Sequence, residues 1–209
     1  MKTESENERL ILEAAEAEFL EKGYNGAKTT AIAQKAGVTH AMLHYYYRTK
    51  ENLFDMVFRE KVQVLATSFE QILCDGLPFE EAITNFIHMH FQFIRQNPRL
   101  IYFVYNEVLS NKENRDMLHK SVFPILSKIY ARMEKLVGRE VAMGTIRPIK
   151  PLDLILNIVS LNMITFMIYP VMKEFVADQS DEYYIRVLKE REESNISFIL
   201  NALKNKGCY

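Results

Sequence analysis

The stretch from Val38 to Leu53, VTHAMLHYYYRTKENL, sets two imidazoles, three phenols and two cations within a few turns of chain. His40 and His44 are four residues apart, a spacing that on a helix brings both rings to one face. Paired imidazoles can share a metal ion, or each can donate and accept hydrogen bonds along a surface. A structural zinc wants four ligands, and no acidic residue stands between Glu21 and Glu51 to complete such a set. No metal and no cofactor is therefore expected. The same interval holds Lys22, Lys28, Lys35, Arg48 and Lys50, flanked on both sides by acid-rich sequence. The net charge is only −1, so the distribution of charge, more than its sum, suggests a polyanionic partner.

Several elements must hold these groups in place. Ile11, Ala14, Ala15 and Phe19 recur at helical spacing and predict a helix over about 5–22, with the glutamates on its other face. Gly23 and Gly26 in KGYNG mark a turn. Thr29 or Thr30 offers an N-cap for a short helix over about 30–36, which buries Ile32, Ala33 and Ala36. Gly37 ends it by taking a left-handed conformation. Thr39 caps a helix over about 40–47, and Thr49 caps a long one to about 74. Two short helices joined by a glycine turn, with a third in front, form a helix-turn-helix unit.

In the second short helix Leu43 and Tyr47 share a face with Val38 and are expected to point inward. His40, Ala41, His44 and Tyr45 then point outward, with Met42 and Tyr46 on the flanks. This is the composition of a surface that reads base edges in a DNA major groove. Imidazoles and phenols donate and accept, and Ala41 and Met42 suit a thymine methyl. Lys50 places a cation at the positive end of the next helix, and Thr29 and Thr30 stand at the start of the preceding one, both positions that suit phosphates. A carboxylate on this face would repel the DNA backbone, which accounts for the missing acids.

The segment RLILEAAEAEFLEKGYNGAKTTAIAQKAGVTHAMLHYYYRTKENLF resembles the N-terminal domain of the TetR family of bacterial transcriptional regulators. The pattern is carried by Arg9 to Phe19, Gly23-Tyr24, Thr29-Thr30, Ile32-Ala33, Ala36-Gly37-Val38, Leu43 and Lys50 to Leu53. The resemblance implies that Thr39 precedes a recognition helix, that Tyr45 and Tyr46 contact the DNA backbone and that Lys50 binds phosphate. His44, Ala41, Tyr46 and Tyr47 depart from the usual residues at their positions, so the operator sequence is not transferable from relatives. The resemblance also implies dimerisation through the last two helices and an effector pocket in the C-terminal domain.

The remainder of the 209 residues carries 7 glycines and 6 prolines in all, few enough to argue for long helices with short connections. Helices are predicted at about 78–95, 98–109, 112–121, 122–137, 151–176 and 181–205, with no alternating strand pattern. The expected architecture is all-α. A helix-turn-helix DNA-binding domain over 1–50 is followed by a helical effector-binding and dimerisation domain over 51–209. Cys74 and Cys208 show no paired spacing and read as reduced thiols of a cytoplasmic protein. The N-terminus lacks a secretory apolar region. Leu154 to Met172 is free of charge, but Asn157, Ser160, Asn162 and Thr165 lie within it, so it reads as a buried or interface helix rather than a membrane span.

Ligand pockets are largely apolar with a few polar anchors. His90, Tyr105, Tyr130, Met133, Asn162 and Phe166 are the candidates to line one here. His88 and His90 are two apart and diverge, His88 to the polar face and His90 to the apolar one, as a satisfied core histidine or a polar handle in the cavity. No cation falls clearly within an apolar stripe, which favours a hydrophobic or aromatic effector. No nucleophile elbow, phosphate-cradling glycine loop or zinc-protease pair occurs, so an enzyme is not expected. The expected function is a dimeric repressor of a pseudo-palindromic double-stranded DNA operator. The alternative is a helical ligand- or partner-binding dimer without specific DNA binding.

Overall fold

A computed structural model of the chain describes residues 4–73, 76–99, 105, 112–175 and 180–205. Its helices are α1 (Glu4–Gly26), α2 (Thr29–Ala36), α3 (His40–Tyr47), α4 (Lys50–Ile72), α5 (Phe79–Gln96), α6 (Lys112–Met143), α7 (Pro151–Met172) and α8 (Asp181–Leu203). A short 3₁₀ turn, Lys173–Phe175, follows α7. Among the described residues no strand forms, and one isolated bridge pairs Ile146 with Lys204. The chain is all-α, as its periodicity predicts. The helix predicted over 98–109 lies mostly outside the described residues.

The chain divides into two compact units, one of residues 1–64 and 102–125, the other of 65–101 and 126–209. The sequence-based boundary after residue 50 falls inside the first unit. Helices α4 and α6 each contribute residues to both.

In the first unit α1 packs on α2 and α2 on α3. The helical spacing of apolar residues places Ile11, Ala15 and Phe19 of α1, Ile32 and Ala33 of α2, Leu43 of α3, and Leu53 and Phe54 of α4 out of solvent. Phe54 meets Phe19 edge-on at 5.2 Å and Tyr24 at 4.9 Å. Gly23 does not end α1 but kinks it, at φ 68 and ψ 176, and helical structure resumes to Gly26. Only glycine takes that backbone without a Cβ clash. Gly37, at φ 67 and ψ 35, stops α2 in the left-handed conformation, and its N–H reaches back to the last carbonyls of that helix.

Two local expectations require correction. Neither Thr29 nor Thr30 caps α2. The cap position is Lys28, in extended backbone and with no side-chain cap bond, and both threonines lie inside the first helical turn. The helices predicted at 112–121 and 122–137 are one continuous helix, α6, with Pro124 inside it. Proline removes one backbone donor and clashes with the preceding turn, at about 3 kcal/mol. Val122, Ile129, Met133 and Val137 are all buried along the same helix, and that burial outweighs the defect.

In the second unit α5, α7 and α8 pack on one another. Phe91, Ile94, Phe166 and Leu188 form one core cluster, with Met163, Met167 and Tyr184 against it. Helix α7 is long and apolar enough to cross a membrane by length and composition. It buries Leu154, Ile158, Asn162 and Phe166 while leaving Leu152, Leu156, Ile164 and Ile168 exposed, so it is apolar on both sides. The irregular segment before it is tied down: the Arg147 N–H donates to the Leu203 carbonyl at 3.0 Å, and its side chain donates to the Ala202 carbonyl.

Candidate nucleic-acid interface

Thr39 accepts a hydrogen bond from the Met42 N–H at 3.2 Å and so caps α3. Thr49 does the same for Asn52 at 3.1 Å and starts α4. Between these caps, Leu43 and Tyr47 point into the core and fix the rotation of α3. The Tyr47 hydroxyl approaches the Glu8 carbonyl of α1 at 3.4 Å, and burial pushes its pKa up to about 12. His40, Ala41, His44 and Tyr45 are therefore exposed, Tyr45 at 65%, while Met42 and Tyr46 are half-buried at the edges of that face.

The two imidazoles are held rather than loose. Their rings stand edge-to-face at 4.4 Å. His40 Nε2 lies 2.9 Å from the Thr29 hydroxyl, which ties α3 to the start of α2. His44 Nδ1 lies 2.9 Å from the Arg48 carbonyl. A carbonyl can only accept, so His44 carries a proton on Nδ1, which leaves Nε2 for other partners. Arg48 itself sits at φ 61, a left-handed conformation that costs a non-glycine residue about 1 kcal/mol or more. Tyr45 and Tyr46 meet edge-on at 5.4 Å. No group of three or more potential metal ligands gathers among the described residues.

The cationic island is smaller than the sequence count suggests. Glu18 is fully buried, and its carboxylate accepts from Lys22 at 2.7 Å and from Lys35 at 2.6 Å. Those bonds hold its pKa down at about 2 and raise that of Lys35. Lys22 and Lys35 thus join α1 to α2, and the glutamates of α1 do not all face solvent. Glu18 stands four residues before Lys22, a visible signal, but its second lysine comes from another helix. Lys50 lies over the Tyr24 ring at 4.7 Å, and its Nζ is 3.5 Å from the Asn25 carbonyl. Tyr24 in turn donates to Glu51 at 2.6 Å, which lowers the Glu51 pKa. Lys28 and Arg48, both exposed, complete the positive groups of this region.

The six residues expected in a C-terminal pocket fall in both compact units. Tyr105 is 53% exposed and belongs to the first compact unit, whereas the other five belong to the second. Tyr130 is half-buried with its hydroxyl 3.5 Å from Glu134, and Met133 is fully buried. Phe166 packs on Phe91 at 4.9 Å in the core cluster. His90 and Asn162 meet at hydrogen-bonding distance. The Asn162 amide donates to the Ile87 carbonyl at 3.0 Å, lies 3.2 Å from His90 Nδ1, and accepts from Asn195 at 3.0 Å. Its NH₂ group faces His90, so Nδ1 of that ring is the acceptor. Burial lowers the His90 pKa to about 4. Two residues before His90, exposed His88 pairs with Glu192 at 2.6 Å, and Gln92 donates to the same carboxylate at 2.9 Å.

A capped, outward-facing helix that follows a glycine turn, with hydroxyls and cations at neighbouring helix starts, defines a helix-turn-helix DNA-binding protein. The chain belongs to the TetR family. Residues 11–57 match the model of bacterial regulatory proteins of the tetR family, and residues 80–184 match the tetracyclin repressor-like C-terminal domain. It is a transcriptional regulator by family. Among curated relatives, the HTH-type transcriptional regulator YhgD of Bacillus subtilis (strain 168) is 24% identical over 70% of this chain and 75% of that one. RutR of Escherichia coli (strain K12), also an HTH-type transcriptional regulator, is 27% identical over 74% of this chain and 71% of its own. Among solved structures, the regulator FadR from Bacillus subtilis in complex with stearoyl-CoA superposes with a TM-score of 0.68 at 18% identity, covering 94% of this chain and 99% of that one.

Proposed function

We propose that the protein is a ligand-responsive repressor that binds a pseudo-palindromic operator as a homodimer in the cytoplasm, and not an enzyme. The outward face of α3 carries the reading. His40, Ala41, His44 and Tyr45 are exposed together, with Met42 and Tyr46 beside them. In this reading those six residues contact DNA, and Thr29, Thr30, Thr39 and Lys50 set the register on the phosphates. Residues 1–50 supply the DNA contacts, and 51–209 supply effector binding and dimerisation. Exposed apolar side chains on the last two helices, among them Leu156, Ile164 and Ile168 of α7 and Ile185 and Phe198 of α8, support self-association there. A two-fold dimer would set its recognition helices about 34 Å apart, or a multiple of that.

The effector in this reading is a small, mainly hydrophobic or aromatic molecule. The stearoyl-CoA complex of FadR supports the hydrophobic part. Of the sequence-based candidates, His90 and Asn162 with neighbouring Phe166 remain the group proposed to respond to it, and Tyr130 and Met133 lie on α6 of the same unit. Release needs only differential binding. About 4 kcal/mol between the DNA-competent and released conformers lowers operator affinity roughly a thousandfold.

The test is fluorescence anisotropy on DNA from upstream of the protein's own gene against shuffled DNA, at several salt concentrations. The expected result is selective binding that weakens on the order of a thousandfold between roughly 50 and 200 mM salt, for about six phosphate contacts. Equal and weak binding to both DNAs by a folded dimer would favour instead a helical ligand- or partner-binding dimer without specific DNA binding.

A further inference from the structure

Among the described residues, Arg48 is the one non-glycine with a positive φ. It stands at φ 61 and ψ −55, between the last residue of α3 and the Thr49 cap of α4. The Thr49 N–H donates to the Tyr47 carbonyl at 2.6 Å, across Arg48, so the three residues form a γ-turn of the rare, strained kind. Two further bonds hold it. The Arg48 N–H donates to the His44 carbonyl at 3.0 Å, and His44 Nδ1 lies 2.9 Å from the Arg48 carbonyl. All these partners belong to α3 or the cap that follows it, so the backbone of Arg48 keeps a fixed place beside the exposed face of α3.

Glycine would take this backbone without a Cβ clash, and a glycine does end α2 at Gly37. Here the chain carries an arginine instead, and its side chain is exposed. A cation gains a little from the dipole at a helix C-terminus, but any position in the last turn offers that gain without strain. Strained backbone that its surroundings hold in place points to a use for the side chain. The Arg48 guanidinium makes no hydrogen bond or ion pair among the described residues. Glu51, the first carboxylate after it in sequence, is engaged by the Tyr24 hydroxyl at 2.6 Å. Exposed His44 and Tyr45 precede Arg48, and Lys50 follows it. A guanidinium in such company suits a phosphate, which it grips through paired N–H groups.

We propose that Arg48 is a DNA-binding residue, a phosphate contact held at the end of α3 by the strained turn. The inference deepens the regulator reading and rests on it, since it adds to the face of α3 a cation that meets the backbone of the same duplex. Arg48 sets position and affinity, and it carries no base preference of its own.

The test is fluorescence anisotropy of the full-length protein on a labelled duplex of mixed sequence, at several salt concentrations. Phosphate contacts need no particular operator, and each adds about 0.9 to the slope of log affinity against log salt. Arg48→Gln, which keeps length without charge, should flatten that slope by about one contact and weaken binding about tenfold at low salt. Arg48→Lys should keep the wild-type slope. Arg48→Gly should show the flattened slope too, with a urea midpoint no lower than wild type, because glycine relieves the turn. A wild-type slope in the Gln and Gly variants, or a Lys variant as flat as the Gln one, would overturn the assignment. A midpoint below wild type in the Gly variant would overturn the role given to the turn. Salt-dependent binding that the variants leave unchanged removes Arg48 alone, whereas a wild-type protein that binds no duplex removes the regulator reading and Arg48 with it.

Discussion

His44 and His90 are the same residue placed in opposite physical situations. His44 stands on the exposed face of α3 with its Nδ1 proton given to the Arg48 carbonyl. His90 is buried in α5 and takes a hydrogen bond at Nδ1 from Asn162. The first has one nitrogen uncommitted by that bond, on an exposed side chain, and can change partners. The second is fixed by groups on α7 and α8, because Asn195 holds the amide that holds it. A polar face that water can fill costs little to alter in the folded protein. A buried polar network binds its helices together, and losing one member strands the others.

Four experiments sharpen or break this contrast. Asn162→Ala should have the largest effect, on the order of 3 kcal/mol of stability, since it strands His90, Asn195 and the Ile87 carbonyl at once. A chemical-denaturation midpoint close to wild type would mean that the network is not structural. Acid titration comes next. The His90 pKa is lowered from 6.5 to about 4, so its neutral form contributes stability fully present above pH 6.5 and lost as pH falls toward 4. Over that window thermal stability should drop by an amount on the order of 2 kcal/mol. His90→Gln should flatten the curve there.

On the exposed side, His44→Ala and Tyr45→Ala should each weaken operator binding by about 1–3 kcal/mol and leave the melting temperature unchanged. Unchanged DNA affinity in both variants would defeat the assignment of that face. The smallest effect is expected for Glu18→Gln. Glu18 contributes stability above pH 4.5 that is lost as pH falls toward 2, and both of its lysine partners reach water. A loss on the order of 1–2 kcal/mol near neutral pH, with a weaker acid dependence than wild type, is the expected outcome of urea unfolding.

What could be read beforehand divides along the same line. The glycine stop at Gly37, the caps at Thr39 and Thr49, and the inward pair Leu43 and Tyr47 are decided within one or two turns of chain, so their spacing reveals them. The burial of Glu18 is not visible, because its second lysine comes from α2. Pro124 is misleading for the opposite reason, since a local helix breaker is overruled by burial along the helix around it. His90 and Asn162 could each be picked out as polar residues on apolar faces. Their meeting across 72 residues of sequence could not.

The bond from His44 to the Arg48 carbonyl also bears on which letters of DNA this face would prefer. With Nδ1 committed, neutral His44 offers a lone pair at Nε2. In the major groove that acceptor matches the exocyclic amino groups of adenine and cytosine, whereas a protonated ring would seek the N7 and O6 acceptors of guanine. If that face reads DNA as proposed, a backbone carbonyl in a strained turn, which need never touch the nucleic acid, would help to choose the base.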